Sequence, residues 1–566
     1  MILAGAGSGK TRVLTYRIAY LIGQQSVDPF EILAITFTNK AADEMKERIE
    51  TLIGPVARRM WISTFHSACV RILRCEIERL GYTGNFTIYD EADRNRLVSA
   101  CLVDLDIDSK RFPPSKFAAL ISNAKNQLVD PESYAESART PFNRTVAEVY
   151  RLYQERLYQN NALDFDDLIM VTVSILSAFP SVLEAYQQRF KHILVDEYQD
   201  TNQAQYKLVK MLAAKSGNVC VVGDDDQSIY GFRGADIRNI LNFERDYPDA
   251  TIVKLEQNYR STKTILEVAN SVVARNQGRK PKALWTTNDD GEMVVRFEAD
   301  NEQVEAAFVA TEIEELVEEG WKYGDVAVFY RTNAQSRVLE EAFLRCGVPY
   351  RVIGGLRFYE RQEIKDILAY LRAIVNPSDS LSIKRVLNVP KRGLGKAAVA
   401  WIDAFSSREG IDLAQAIARA DEIPQLTPAA RKAALSFAGM LTELRELSRD
   451  AGLEGTLRAL IDRTGYLDML EAEGTVEAES RAENVKELIS VVQEFERDDK
   501  KSLEEFLAEV SLVSDIDELA DNEDAVTLMT VHNAKGLEFP IVFIVGMEEG
   551  VFPHVRAIQI SHGYSS

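Results

Sequence analysis

The segment Ala4-Gly5-Ala6-Gly7-Ser8-Gly9-Lys10-Thr11 restricts what this chain can fold into more tightly than any other stretch of it. A short apolar start precedes it and a helical run, Val13 to Leu21, follows, so the predicted order is strand, tight turn, helix. Its glycines let backbone N–H groups close around phosphate oxygens, Lys10 reaches the β- and γ-phosphates, and the Thr11 hydroxyl is placed to hold Mg²⁺. The pattern is a nucleotide-binding P-loop with Ala4 in the place of its first glycine. Alone, it does not separate kinases from motors.

Three apolar runs, Ile32 to Ile35, Ile193 to Val195 and Val219 to Val222, each end in a polar cluster. Continuous apolar runs mark strands buried on both faces, and parallel sheets bind ligands at their carboxyl edge. The three clusters are therefore expected on one edge, beside the P-loop. In the second of them Asp196 can bind Mg²⁺, and Glu197 can position and deprotonate a water attacking the γ-phosphate. Gln227, after the third run, is placed to sense the γ-phosphate through its amide. The pair of acids implies hydrolysis.

At 566 residues the chain exceeds one hydrophobic core and predicts several folding units. A helical insertion is expected over residues 86–189, between the first and second runs. A second α/β pattern starts near residue 258, with strands at Val326 to Tyr330, Tyr350 to Ile353, Val526 to Val531 and Ile541 to Val545. It is interrupted by a second helical stretch over about 378–520, where Val485, Leu488, Ile489, Val492 and Phe495 form an amphipathic stripe. The acidic stretch Asp515 to Asp524 reads as a solvated linker, and the basic residues Arg275, Arg279, Lys280 and Lys282 as a solvated loop. No secretory signal and no apolar run of membrane-spanning length is present, so the cytoplasm is the expected compartment and no membrane partner is expected. The five cysteines are scattered and read as reduced core thiols, and with five dispersed histidines no transition-metal centre is expected. The formal net charge of -21 opposes general attraction to a polyanion. Nucleic acid then has to be held in a narrow groove of aromatics, amides and a few cations, with modest sensitivity to salt.

The segments Asp-Glu-Tyr-Gln-Asp-Thr at 196–201 and Gly-Asp-Asp-Asp-Gln-Ser-Ile-Tyr at 223–230 resemble motifs of the UvrD/PcrA/Rep group of superfamily 1 DNA helicases. Thr-Phe-Thr-Asn-Lys-Ala-Ala at 36–42, Ser-Thr-Phe-His-Ser at 63–67, Leu-Glu-Gln-Asn-Tyr-Arg-Ser at 255–261 and Thr-Val-His-Asn-Ala-Lys-Gly-Leu-Glu-Phe at 530–539 match further motifs in the family order, nearest to its PcrA-type members. The resemblance implies an α/β fold of two RecA-like parallel-sheet P-loop domains, each interrupted by a mainly helical subdomain. On that basis the domains are 1–85 with 190–257, the insertion 86–189, 258–377 with 521–566, and the insertion 378–520. The implied activity is ATP-dependent 3'-to-5' translocation on single-stranded DNA and unwinding at single/double-strand junctions. Repair and replication are the implied setting, with proteins of those processes as partners.

Residue by residue, the resemblance implies that Tyr259 stacks on adenine, Arg260 reaches the γ-phosphate from the second sheet domain, Glu538 contacts the ribose, and Arg12 lies near the nucleotide. Phe65, Tyr230 and Phe232 are the candidate base-stacking residues; the family commonly has Trp at the position of Phe232. Thr36, Asn39, His66, Arg331, Arg357, His532 and Lys535 are candidate DNA or coupling contacts by motif position. Arg392, Gly393 and Gly395 form a loop in which glycine amides and a cation can hold a duplex phosphate.

Two departures from the family pattern bear on activity. The chain starts on the P-loop strand, without the family's adenine-reading glutamine, and after Gly-Met-Glu-Glu-Gly-Val-Phe-Pro at 546–553 it closes on a tail with little family counterpart. The family motif expected there carries an arginine that stabilises charge on the γ-phosphate, so slow hydrolysis is an expectation. The alternatives are a hydrolysis-defective ATP- and DNA-binding module, and a P-loop kinase that would leave Glu197, Gln227 and Arg260 without roles.

Overall fold

The computed structural model describes residues 1–276, 278–354, 358–497, 502–512 and 524–553. Among them twelve strands form three parallel sheets: β1 Ile2–Ala4, β2 Ile32–Thr36, β3 Trp61–Thr64, β4 Thr87–Tyr89, β5 Ala162–Asp164, β6 His192–Val195, β7 Val219–Gly223, β8 Val253–Leu255, β9 Val326–Tyr330, β10 Tyr350–Val352, β11 Val526–Thr530 and β12 Ile541–Ile544. The first sheet has the order β3-β2-β6-β7-β1-β8 and the second β10-β11-β9-β12.

Side chains alternate across each strand of the first sheet, so one run feeds two cores. Leu33, Ile35, Ile193, Val195 and Val221 enter one apolar cluster. Ile32, Ala34, Leu194, Cys220 and Val222 enter the other. This two-sided burial is why the runs are continuously apolar. The sheet order sets β6 between β2 and β7, with β1 next to β7, so the residues following these strands share one edge.

Two helical cores flank the sheets, one from Tyr89 to Ala162 and one from Ile364 to Leu507. Val485, Leu488 and Val492 lie in the second core with Ile489 and Phe495 against it, as the stripe predicts. Helices Phe165–Ala178 and Pro180–Arg189, expected within the first insertion, instead pack Leu168, Ile169, Val173, Leu176 and Val182 on the first sheet. Helix Gln362–Val375, expected with the second sheet, buries Ile364, Ile367, Leu371 and Ile374 in the second helical core. The two helical cores meet through polar contacts: Arg372 to Asp93 at 2.8 Å, and the Tyr89 hydroxyl donating to Asp379 at 2.7 Å.

Three cysteines are buried, whereas Cys75 and Cys346 are exposed, against the expectation of core thiols. No single described helix is long and apolar enough to cross a membrane. The acidic linker up to residue 523 and the closing tail from 554 lie outside the described residues.

Within the first helical core Lys125 is fully buried and bridges Asp164 at 2.7 Å and Asp167 at 2.9 Å. The same two carboxylates form the capping box that starts helix Phe165–Ala178. Lys125→Met leaves both acids buried without their cation, and is expected to cost about 3–5 kcal/mol in chemical denaturation. A loss below about 1 kcal/mol would show that the pair is solvated.

Candidate nucleotide site and DNA track

Backbone geometry around the P-loop requires glycine at two positions. Gly9, at φ +85°, precedes helix Lys10–Gly23, and Gly7 has φ +64°. A Cβ on Gly7 would lie 2.6 Å from Asn258 Nδ2 and 2.7 Å from Arg260 Cβ. Ser8 Oγ closes the turn by donating to the Gly5 carbonyl at 2.7 Å. Ala4 is fully buried at the end of β1, where its methyl packs in the core, so a glycine there is not needed.

The strand-edge residues converge as expected. Lys10 Nζ lies 3.1 Å from Glu197 Oε1 and donates to Gln227 Oε1 at 3.0 Å. The Thr11 hydroxyl donates to Asp196 Oδ2 at 3.3 Å. Glu197 stands directly after β6 in the left-handed region at φ 47°, a strained position for a side-chain-bearing residue, held by its N–H donating to Asp196 at 2.9 Å. Burial pushes Asp196 up to about 6, helped by the neighbouring Glu197 charge. Burial would also raise Glu197, but Lys10, Lys535 and a hydrogen bond from Gln199 outweigh it and hold that carboxyl below its ordinary value.

Gln199 is a component that the sequence reading passed over. Its Nε2 donates to Glu197 at 2.5 Å and Asp200 at 3.2 Å, while its Oε1 accepts from the Asp224 N–H at 2.9 Å. It thereby ties the polar cluster after β6 to the one after β7. It sits inside a quoted motif, so proximity to Glu197 was the available signal.

Lys535, from the loop after β11 in the second sheet, enters this same cluster. Its Nζ pairs with Asp200, donates to the Gln227 carbonyl at 2.8 Å and stands 3.7 Å from Glu197. That places it beside the acids of the nucleotide site, rather than on an open phosphate-binding surface. Arg260 Nε donates to Glu538 at 2.5 Å. The Arg260 segment leaves from β8 of the first sheet and is bonded to the P-loop: Asn258 Nδ2 donates to the Ala6 carbonyl at 2.7 Å and Tyr259 N–H to the Gly7 carbonyl at 2.9 Å. Arg260 is thus supplied from the first sheet's edge, a correction to its expected origin in the second. Tyr259 keeps its ring 65% exposed at the rim, and exposed Arg12 lies over Tyr16.

An aromatic row runs across the seam between the sheets. Phe37 stacks on Tyr230 with centroids 4.9 Å apart, and Phe232 meets His532 edge-on at 5.1 Å. Phe37 was not among the predicted stacking residues. Phe232 is 66% exposed, whereas Tyr230 is buried and its hydroxyl donates to the His532 carbonyl at 3.2 Å. Arg331 donates to the His532 ring, with nitrogens 2.6 Å apart. Phe65 is 4% exposed in the core beneath the sheet, where no base can reach it. Thr36 is also buried, with its hydroxyl donating to the Thr38 carbonyl at 3.0 Å. Asn39 Nδ2 donates to the Leu512 carbonyl at 2.9 Å.

The loop at 390–395 is built differently from the expectation. Arg392 turns inward, donating to the Val386 and Val389 carbonyls at 3.0 and 3.1 Å and to the Tyr370 hydroxyl at 2.5 Å. Those carbonyls consume the guanidinium, so Arg392 shapes the loop and does not offer a charge to a phosphate. Gly393 and Gly395 stay exposed, and Gly395 caps helix Lys396–Glu409. Arg357 lies outside the described residues. Of the basic cluster read as solvated, Arg279 and Lys282 are drawn into ion pairs with the acids following β7, because those acids are buried and need cations.

A P-loop, a hydrolytic carboxylate, and a second parallel sheet that sends a lysine into their midst define a nucleotide-hydrolysing motor of two sheet units. Comparison with known proteins agrees. The UvrD/REP helicase N-terminal domain matches residues 1–248, and the UvrD-like helicase C-terminal domain matches residues 253–563. The ATP-dependent DNA helicase PcrA of Staphylococcus aureus strain COL is 52% identical over 562 residues, which is 99% of this chain and 77% of that protein. The PcrA of Staphylococcus epidermidis strain ATCC 12228 is 51% identical over the same shares. The chain belongs to the UvrD/REP family of ATP-dependent DNA helicases, and its two parallel sheets are the RecA-like sheets of that family. The family match runs through most of the closing tail, which the sequence reading had set apart.

His66 supplies a pH test of this assembly. It packs edge-on to Phe165 at 5.7 Å, and burial pushes its pKa down to about 4. A depressed folded pKa gives stability that is complete above the unfolded value of about 6.5 and is lost as pH falls toward 4. Relative to wild type, His66→Gln is expected to lose about 3 kcal/mol less between pH 7.5 and pH 4, read by denaturant unfolding. Parallel pH profiles would place His66 in solvent.

Proposed function

We propose that this chain couples ATP hydrolysis to 3'-to-5' movement along single-stranded DNA, and unwinds duplex at single/double-strand junctions in repair and replication. One observation carries the reading: the loop after β11 bridges to both sites. His532 touches Phe232 in the aromatic row, Lys535 pairs with the acids around Glu197, and Glu538 holds Arg260. A change at the γ-phosphate therefore acts on the contacts of the DNA track through the seven residues from His532 to Glu538. A kinase needs no such bridge. The direction of movement follows from the family resemblance.

In this reading Glu197, kept ionised by its cations, accepts the proton of the attacking water. Phosphate competes with Glu197 and Gln227 for the Lys10 ammonium, so binding of ATP frees the carboxylate for that role. Gln227 orients toward the γ-phosphate, and Arg260 balances charge developing there. Tyr259 offers its exposed ring to the adenine, and Arg12 and Glu538 lie at the rim. Thr11 and Asp196 supply the hard oxygen donors that suit Mg²⁺, which when bound offsets phosphate charge. Phe232 and His532 offer stacking surfaces to bases, while Tyr230 and Phe37 support them from below. Separate cores support treating the two sheets and the two helical insertions as moving units, with the first insertion's core running from Tyr89 to Ala162, helices Phe165–Ala178 and Pro180–Arg189 going with the first sheet, and the second insertion's core starting at Ile364.

Glu197→Gln is expected to bind ATP normally and to lower DNA-stimulated turnover by about 10²- to 10⁴-fold. Turnover within about threefold of wild type would remove Glu197 as the base. Phe232→Ala is expected to weaken single-strand binding by ~1–3 kcal/mol, roughly 5- to 150-fold in Kd. Unchanged affinity in a fluorescence titration would take Phe232 out of the track.

A further inference from the structure

Three consecutive acids, Asp224, Asp225 and Asp226, follow β7, and their side chains are 4%, 1% and 7% exposed. An oxygen from each lies within 4.8 Å of the others. Mutual repulsion of buried carboxylates opposes that arrangement unless a cation sits among them. Lys282 Nζ sits among all three, at 2.7 Å from Asp224, 2.5 Å from Asp225 and 2.8 Å from Asp226, with its own side chain 3% exposed, while Arg279 pairs with Asp226 alone, at 2.5 Å.

The strip carrying Lys282 is anchored to the segment after β8. Ala283 N–H donates to Glu256 Oε1 at 3.0 Å, and Asn258 N–H to the Trp285 carbonyl at 2.7 Å. One residue past Ala283, Leu284 lies over Gly5 of the P-loop, where a Cβ would come within 2.3 Å of its methyl. Lys282 is therefore delivered by a fixed scaffold, not by a mobile surface loop.

On the other side of the cluster, Asp224 Oδ2 accepts from Gln227 Nε2 at 2.5 Å. Because Nε2 can only donate, holding it on the carboxylate turns Oε1 toward Lys10, where it accepts at 3.0 Å. A continuous polar path thus runs Lys282, Asp224, Gln227, Lys10.

We propose that Lys282 is a positioning residue for ATP hydrolysis: by neutralising the three-acid cluster it keeps Asp224 in place to orient the Gln227 amide. The inference rests on the hydrolytic reading above. Without the ammonium Arg279 still holds Asp226, but Asp224 and Asp225 are left adjacent and uncompensated, Asp224 leaves its place, and Gln227 loses its fixed orientation.

The test is a double-mutant cycle in DNA-stimulated ATP turnover, on the full chain. Lys282→Met and Gln227→Ala are each expected to lower kcat on the order of 10²-fold with KM for ATP largely unchanged, and the double variant should fall no further. A general structural defect would add to the Gln227→Ala effect. Since loss of a buried cation can also unfold the region, Lys282→Met/Asp225→Asn/Asp226→Asn is measured beside it. That variant removes the cation and two of the negative charges, keeps Asp224, and is expected to melt near wild type with turnover restored to within about tenfold. Wild-type kcat in folded Lys282→Met, additivity with Gln227→Ala, or a stable triple variant without turnover would each overturn the proposal. Absence of turnover in the wild-type chain would instead overturn the hydrolytic reading, before any substitution is made.

Discussion

The Lys10 ammonium is shared between the Glu197 carboxylate and the Gln227 amide, at 3.1 and 3.0 Å, and the rest of the molecule is arranged so that this contact can exist. Several buried acids in one place are costly unless cations and donors are supplied with them. Lys10 comes from the P-loop helix, Lys535 from the other sheet, and Gln199 donates from within the motif after β6. The balance is uneven, and that unevenness divides the labour. Asp196 and Asp200 are raised to about 6, chiefly by burial, while Glu197 is held low by its cations. The carboxylate best kept ionised is the one placed to accept a proton.

Placing half of that charge balance on a second sheet gives the assembly its mechanical character. Lys535 cannot leave the acids of the first sheet without uncovering Asp200, and His532, three residues earlier, cannot shift without disturbing Phe232 and Tyr230. On the proposed function, phosphate chemistry and base stacking are coupled through this one short loop. The same seam explains why the aromatic row includes Tyr230, whose buried ring is braced by Phe37 beneath and bonded to the His532 backbone above. Phe232, left in solvent, is the ring of this row that the proposed function offers to a base.

How much of this the sequence disclosed follows from the range of each interaction. Strands β2, β6, β7 and β9 were legible because apolar runs buried on both faces leave an uninterrupted signature, and the motifs placed Lys10, Asp196, Glu197 and Gln227 correctly on one edge. Phe65 and Arg392 were misjudged for the opposite reason: an aromatic or a cation in a motif carries no mark of which way it points. Phe65 turned into the core and Arg392 into a ring of carbonyls. Lys282 is the clearest case. A basic loop far from any motif reads as solvated, and only the fold shows that three buried aspartates 56 to 58 residues away require its charge. The positive φ of Glu197 has no sequence signal either, since glycine is the residue that ordinarily marks such a position.

A chain of net charge -21 that acts on DNA is consistent once the cations are located. Many of them are already committed: Lys282 and Arg279 to the acids after β7, Lys125 to Asp164 and Asp167, Arg372 to Asp93, and Arg392 to carbonyls. Among the described residues, Arg233 beside Phe232 and Arg331 on His532 stand among the aromatic rings of the row. Binding built that way draws on stacking, which any base satisfies and which salt screens little, and only weakly on counterion release. On that reading the net negative charge opposes the polyanion in general, and the rings and their few cations outweigh it only locally, within a Debye length of about 8–10 Å.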